Sequence, residues 1–329
     1  MCKTAMFYGE ALAKYGFGGS HPFGTDRLDA FWNKFRSEGV DNIVQQDPVL
    51  ASVQEVLSFH NTAYVELVKM GSKKGGVLLD SGDTPAFKGA FEASLYVVGS
   101  TLAALDMVVG GRDRLKRKVD HAFNPIGGLH HARRDSAGGF CIFNDIGIAI
   151  LTARKKYGIE RIAYIDIDAH HGDGVFYEFQ DDPLLFFADI HEDGRYLYPG
   201  TGSESETGNG EAQGTKLNIP LPPGASDDQF IEAFDKVEQF VDKVKPELII
   251  FQCGADGLVD DPITHLQYTS KVHRFAADSL HRLAHEYCNG RIMALGGGGY
   301  NRENIGAAWT EVVKSFASDK DFKSSKMNL

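Results

Sequence analysis

An apolar run that becomes a polar cluster within a few residues, Ile162-Ala-Tyr-Ile-Asp166-Ile-Asp168-Ala-His170-His171-Gly-Asp173-Gly174, constrains this chain more than any other stretch. Its β-branched and aromatic residues read as a buried strand of a parallel sheet, whose carboxyl end opens into a site. While the backbone stays extended, Asp166, Asp168 and His170 at i, i+2 and i+4 share one face. Burying two carboxylates and an imidazole with no counter-charge costs several kcal/mol per ion. A bound cation removes that cost. Taken alone, a DxD or HH pair is more often a cap, a turn or a solvated edge. Its weight here comes from the rest of the chain.

The same transition recurs. Leu248 to Gln252 runs into Cys253-Gly-Ala-Asp256, and Ile292 to Leu295 runs into Gly296-Gly-Gly-Gly299-Tyr300. Leu184 to Ala188 ends at Asp189-Ile190-His191, and Val119 to Phe123 leads to Asn124-Pro-Ile-Gly127-Gly128-Leu-His130-His131. A further strand is expected over Thr215 to Pro220. Helices are expected after Thr25-Asp26, with Leu28, Phe31, Trp32 and Phe35 on one face, and over Val53 to Met70 and Ala86 to Val109. Others follow over Asp145 to Tyr157, Asp227 to Val244, Thr269 to Cys288 and Glu303 to Phe316. This alternation predicts an α/β fold, a single-domain, mostly parallel β-sheet with helices on both faces. The domain would span residues 1–317, with residues 318–329 as a frayed tail. Asp168, His170, Asp256 and Tyr300 then lie just beyond strand carboxyl ends, the edge where open α/β sheets bind ligands.

Composition narrows the function. A formal net charge of -11 argues against nucleic acid as a partner, because phosphate binding relies on clustered Lys and Arg. The one basic cluster, Arg112-Asp-Arg114-Leu-Lys116-Arg117-Lys118, reads as a solvated loop or helix end. Cys2, Cys141, Cys253 and Cys288 form no CxxC pair, which suits a reducing compartment. The first residues hold no signal-like apolar core, and no continuous 18-residue apolar run is expected, so a cytoplasmic protein without membrane contact is expected.

The chemistry follows from the strand ends. Asp168, His170 and Asp256 make a three-ligand set that keeps a position open for water and substrate. Two carboxylates neutralise a divalent cation, which then acidifies its water less than a three-histidine site does, so a protein base is needed. His130 and His131 are the candidates, with Asp166 and Asp173 placed to fix their tautomers. Tyr300 supplies a phenolic donor for a developing oxyanion, after a glycine run that lets the loop approach closely. A tyrosine after a strand is usually only packing. Combined with a metal and a base it describes amide hydrolysis.

Six motifs, in this order, resemble the histone deacetylase family: Gly127-Gly-Leu-His130-His131-Ala, Gly138-Gly-Phe-Cys-Ile-Phe-Asn144-Asp, Asp166-Ile-Asp-Ala-His-His-Gly-Asp-Gly174, Tyr198-Pro-Gly-Thr-Gly202, Gly254-Ala-Asp256 and Gly296-Gly-Gly-Gly-Tyr300-Asn. The resemblance runs from His21-Pro22 to the last helix and is nearest the class I and bacterial acetoin-utilisation branch. It implies an arginase/deacetylase-like fold and a zinc ion, or iron(II), on Asp168, His170 and Asp256. It implies His131 with Asp173 as general base and acid, His130 with Asp166 as its electrostatic partner, and Tyr300 as oxyanion donor. Gly139, Phe140 and Tyr198 match the wall of an acyl-lysine tunnel, Asp83 the rim acid, and Arg27 and Cys141 an internal cavity. A structural potassium ion near Asp166 is also implied, although Asp189 stands where many members have serine. Acetylated lysine in proteins is the substrate implied, and small acetylated amines are the alternative.

Two readings from other classes compete. A non-catalytic acyl-lysine binding module would not need both histidines, Tyr300 and a full ligand set. An arginase-like dinuclear centre needs a second DxD pair where Gly254-Ala-Asp256 supplies one acid. The Gly296 to Gly299 run lacks the Lys-Ser/Thr of a phosphate-binding loop.

Overall fold

The computed structural model describes residues 2–110 and 119–318. The basic cluster Arg112 to Lys118 and the expected tail beyond Ser318 lie outside them. In chain order the elements are β1 (Thr4–Phe7), α1 (Glu10–Ala13), α2 (Arg27–Ser37), β2 (Ile43–Gln46), α3 (Val53–Val56), α4 (Thr62–Lys74), β3 (Val77–Leu78), β4 (Pro85–Ala86), α5 (Ala90–Val109) and β5 (His121–Asn124). There follow α6 (Asp145–Tyr157), β6 (Ile162–Asp166), α7 (Asp173–Phe176), β7 (Leu185–Glu192), β8 (Lys216–Leu221), α8 (Asp227–Val244), β9 (Leu248–Gln252), α9 (Ser270–Tyr287), β10 (Ile292–Leu295) and α10 (Arg302–Phe316).

Eight strands form one open sheet in the order β2-β1-β5-β10-β9-β6-β7-β8. Every neighbouring pair in it is parallel. Strands β5, β6, β9 and β10 are buried along their whole length, which is why they read as continuous apolar runs rather than alternating ones. Helices α2, α8, α9 and α10 pack as one group, and α4, α5 and α6 as another. The chain winds outward through β6, β7 and β8, then returns to insert β9 and β10 between β6 and β5. That reversal is a topological switch point, where parallel sheets part to form a ligand crevice.

Three expectations need correction. The sequence reading has no strand at Thr4–Phe7 or Ile43–Gln46, because four residues are too few to show a period. β1 is fixed instead by pairing with β2 on one side and β5 on the other. The helix expected over Val53 to Met70 is two. Asn61 caps α4 by accepting the Tyr64 N–H at 2.8 Å, while Ser52 and Glu55 close a capping box on α3. The helix expected from Ala86 starts at Ala90, because Pro85 and Ala86 pair with Val77 and Leu78 in a small hairpin.

One further departure concerns the membrane. α5 spans 20 residues with a mean hydropathy of 1.4, long and apolar enough to cross a bilayer, although no such run is expected from the sequence. Its most apolar window is 72% buried inside the protein, against α4, α6 and β5. A helix covered on most sides is apolar on most sides.

His60, in the connection between α3 and α4, is buried, and its Nε2 accepts the Asn144 N–H at 2.9 Å. Burial lowers its pKa to about 3. The unfolded chain therefore binds more protons than the folded one between about pH 6.5 and about pH 3, and stability is lost as pH falls through that window. Thermal denaturation across this range should show the loss. His60→Gln, which keeps an acceptor for Asn144 without a proton to gain, should make it shallower.

Candidate metal centre and active site

The sheet register sets one row of residues at the carboxyl edge, in which Asn124, Leu295, Gln252, Asp166 and Asp189 are successive partners across β5, β10, β9, β6 and β7. Each sequence-predicted site residue except Asp83 lies in this row or in the segments leaving these strands.

Asp168, His170 and Asp256 come together. Their ligand atoms all lie within 4.8 Å of one another, and all three side chains are buried. His170 Nδ1 is 3.1 Å from Asp168 Oδ1 and 3.0 Å from Asp256 Oδ2. Donors about 2.0–2.2 Å from a tetrahedral ion sit roughly 3.3 Å apart, so these spacings suit one divalent cation. The outward carboxylate oxygens are pinned. Asp168 Oδ2 accepts from Gln252 Nε2 and from the Gly298 N–H, both at 2.8 Å, and Asp256 Oδ1 accepts the Ala169 N–H at 2.9 Å. Burial and then the Asp168 charge push the Asp256 carboxyl up to about 7, a strain that a cation relieves.

Two imidazoles stand beside this set with different proton affinities. His130 Nδ1 lies 2.8 Å from Asp166 Oδ2, and His131 Nδ1 lies 2.7 Å from Asp173 Oδ1, so each carboxylate fixes its ring's tautomer. Burial alone would lower His130, but Asp166 and Asp168 outweigh it and lift its pKa to about 10. For His131, burial and then the charge on His130 outweigh Asp173 and push it to about 4. At neutral pH this leaves His130 cationic and His131 neutral with its lone pair on Nε2.

Tyr300 follows β10 through glycines that must be glycines. A Cβ on Gly298 would sit 2.2 Å from Asp256 Oδ2 and 2.8 Å from Asp168 Oδ2. The loop is held from below by the buried Arg27 of α2, whose Nε donates to Gly299 O at 2.9 Å and whose guanidinium donates to Gly297 O at 2.6 Å. The Tyr300 N–H donates to Asp261 Oδ2 at 2.9 Å, and its ring meets Phe140 edge-on with centroids 5.7 Å apart. Burial, then Asp256 and Asp168, raise the phenol well above its ordinary pKa, so it stays protonated.

A narrow cavity bounded by Leu129, His130, His131, Gly139, Asp168 and Tyr300 gives access to these groups. Gly139, at φ +49°, lies flat on the His131 ring, where an added Cβ would come within 2.2 Å of Cδ2. Phe140, also at positive φ, is fixed by its N–H donating to Thr84 Oγ1 at 3.0 Å. Tyr198 stands half-exposed, edge-on to His131 with centroids 5.1 Å apart. Asp83 is exposed and is tied to the site through His21, which donates to the Asp83 carbonyl at 3.1 Å and packs on Phe140.

Sequence reasoning assigned nothing to three residues that position this site. Asn144 and Asp145, at the start of α6, clamp the histidine loop from both sides. Asp145 accepts the Gly128 and Leu129 N–H groups at 3.1 and 2.8 Å, and Asn144 Nδ2 donates to Ala132 O at 2.9 Å. The Gln252 amide donates to Asp168 and accepts the Gly254 N–H at 2.7 Å, joining two ligand loops. Gln252→Ala should weaken metal affinity about 10–100-fold, measured by competition with a chelating dye. An unchanged affinity would remove Gln252 from the metal's support.

The chain is similar to known proteins in sequence and in fold. A family model described as the histone deacetylase domain matches residues 21–316. The chain is 39% identical over 327 residues to the acetoin utilization protein AcuC of Bacillus subtilis (strain 168), covering 96% of this chain and 81% of that one. It is 34% identical over 307 residues to a probable deacetylase of Archaeoglobus fulgidus, covering 91% and 82%. The crystal structure of the HDA15 HD domain superposes with a TM-score of 0.85 at 25% identity, over 96% of this chain and 89% of that one.

Proposed function

This chain belongs to the histone deacetylase family, and from that premise we propose that it is a metal-dependent amidohydrolase that removes acetyl or other short acyl groups from lysine side chains of proteins. The observation that carries the reading is a cluster of three buried metal donors, one of which, Asp168, lines a narrow cavity together with a neutral imidazole, His131, and a protonated phenol, Tyr300.

Asp168, His170 and Asp256 would hold zinc or iron(II), with two carboxylates balancing its charge. Such an ion polarises the acyl carbonyl and makes water more acidic. His131 takes the proton from the attacking water and returns it to the leaving amine, and Asp173 holds the ring in the tautomer that allows both. His130, held cationic by Asp166, stabilises negative charge as it builds. Tyr300 donates its phenolic hydrogen to the oxyanion. Gly139, Phe140 and Tyr198 would enclose the lysine methylenes, a burial worth about 3 kcal/mol for four of them. Asp83 would accept from the substrate backbone at the rim.

Potassium has a less evident place among the side chains. Asp166 Oδ1 accepts the Asp168 N–H at 3.0 Å and Asp166 Oδ2 already bonds His130, while Asp189 Oδ1 lies 2.7 Å from His191 Nδ1. A potassium ion here would depend on backbone oxygens. A cytoplasmic location fits the free, buried thiols of Cys141 and Cys253, which a reducing compartment would keep reduced.

Protein reconstituted separately with zinc and with iron(II) should be assayed on an acetyl-lysine peptide and on acetylspermidine. A higher kcat/KM for the peptide is expected. Preference for acetylspermidine would reassign the substrate to small acetylated amines, and no hydrolysis of either would end the hydrolase reading.

A further inference from the structure

At the opposite edge of the sheet a second set of donors converges. Cys2 lies just before β1, His121 is the first residue of β5, and His281 and His285 stand one turn apart on α9. One ligand atom from each lies within 4.8 Å of every other. All sheet strands run the same way, so residues that open β1 and β5 lie far from the carboxyl-edge centre. The ligand sets share no residue.

Two of the spacings match those of a tetrahedral ion. His281 Nε2 and His285 Nε2 are 3.1 Å apart, and Cys2 Sγ is 3.6 Å from the same His285 Nε2. With Zn–N near 2.0–2.1 Å and Zn–S near 2.3 Å, tetrahedral angles place two nitrogens about 3.3 Å apart and a nitrogen and a sulfur about 3.6 Å apart. A hydrogen bond between two imidazoles explains the first distance. That nitrogen carries either one hydrogen or one lone pair, so it cannot make a full hydrogen bond to the thiol as well.

The ring planes point the same way. His121 is inclined 78° to His281 and 81° to His285, and the latter two are inclined 53° to each other, so the three rings are splayed rather than stacked. His121 Nδ1 is 3.1 Å from the Gly290 carbonyl, which can only accept. Nδ1 therefore carries the hydrogen and the lone pair sits on Nε2, as it does for metal-ligating histidines oriented by a backbone carbonyl. Cys2 and His285 are partly exposed while His121 and His281 are buried, which gives an ion a way in.

We propose that Cys2, His121, His281 and His285 form a second metal site, a closed centre of one thiolate and three imidazoles for a structural zinc ion that fastens the start of β1 to β5 and α9. This donor set favours zinc over magnesium or calcium, which take oxygen donors. With all four positions filled by protein the ion would be structural rather than catalytic. It would bridge residues 283 positions apart in sequence.

Cobalt(II) loaded into the full chain distinguishes this centre from the catalytic one, whose ligand set contains no sulfur. A thiolate-to-cobalt charge-transfer absorption is expected in the wild type and in Asp168→Ala. It should be lost in Cys2→Ser, which should also bind one zinc ion fewer per chain and keep deacetylase turnover within about twofold. A wild-type cobalt protein without that absorption would overturn the proposal, whatever the variants do. So would an absorption that survives Cys2→Ser.

Discussion

Tyr300→Phe is expected to lower kcat about a hundred- to a thousand-fold, with little change in KM and none in thermal stability. The ring contacts with Phe140 and Phe23 need no hydroxyl, and the backbone is held by Asp261 through the Tyr300 N–H. Only the donor is lost. Burial and the nearby Asp256 and Asp168 charges keep the phenol protonated well above neutral pH, so the wild type donates throughout the working range. A phenol that acted as a proton carrier would show its own limb in the pH profile, whereas a fixed donor lowers kcat equally at every pH. Single-turnover rates on an acetyl-lysine peptide over several pH values separate these cases. A loss of less than about tenfold would remove Tyr300 from oxyanion stabilisation.

The site was legible in the sequence where chemistry and strand ends coincide. Asp166, Asp168 and Asp256 end or follow apolar runs that read as buried strands, which sets all three at one edge of the sheet, and the pairing of β6 with β9 brings them together. The residues that position the site were not legible in this way. Asp145 acts on backbone N–H groups of a loop some sixteen positions earlier, and those groups leave no mark on side-chain pattern. Gln252 reads as the last residue of an apolar strand, and only the register beside Asp166 turns its amide toward Asp168. The cluster of Cys2 with three histidines depends on β1, a strand too short to show a period, lying next to β5. Local pattern therefore disclosed the groups that converge at the carboxyl edge and missed what holds them. Supporting contacts are set by topology, and topology here is decided by late insertion of β9 and β10 into the middle of the sheet.

The two adjacent histidines offer the sharpest test of mechanism, because one electrostatic field separates their roles. His131→Ala should lower kcat by about a hundred- to ten-thousand-fold, the contribution of a positioned general base, and should erase the acid limb of the pH profile. His130→Ala should cost less, since the base remains. Its signature is a shift. In the wild type, burial and then the His130 charge hold His131 down at about 4, so the base is neutral and competent well below pH 7. Removing that cation lets Asp173 act unopposed by it, so the His131 pKa rises and the acid limb of kcat/KM moves to higher pH. Asp173→Asn works in the reverse sense. The ring loses the carboxylate 2.7 Å from Nδ1, its pKa falls further and its tautomer is released, so kcat drops while the limb moves to lower pH or vanishes. Opposite displacements in the two variants would identify His131 as the titrating base. If His130→Ala proved the more damaging variant and left the limb in place, the proton would be carried by His130, and the assignment of base and electrostatic partner would have to be exchanged.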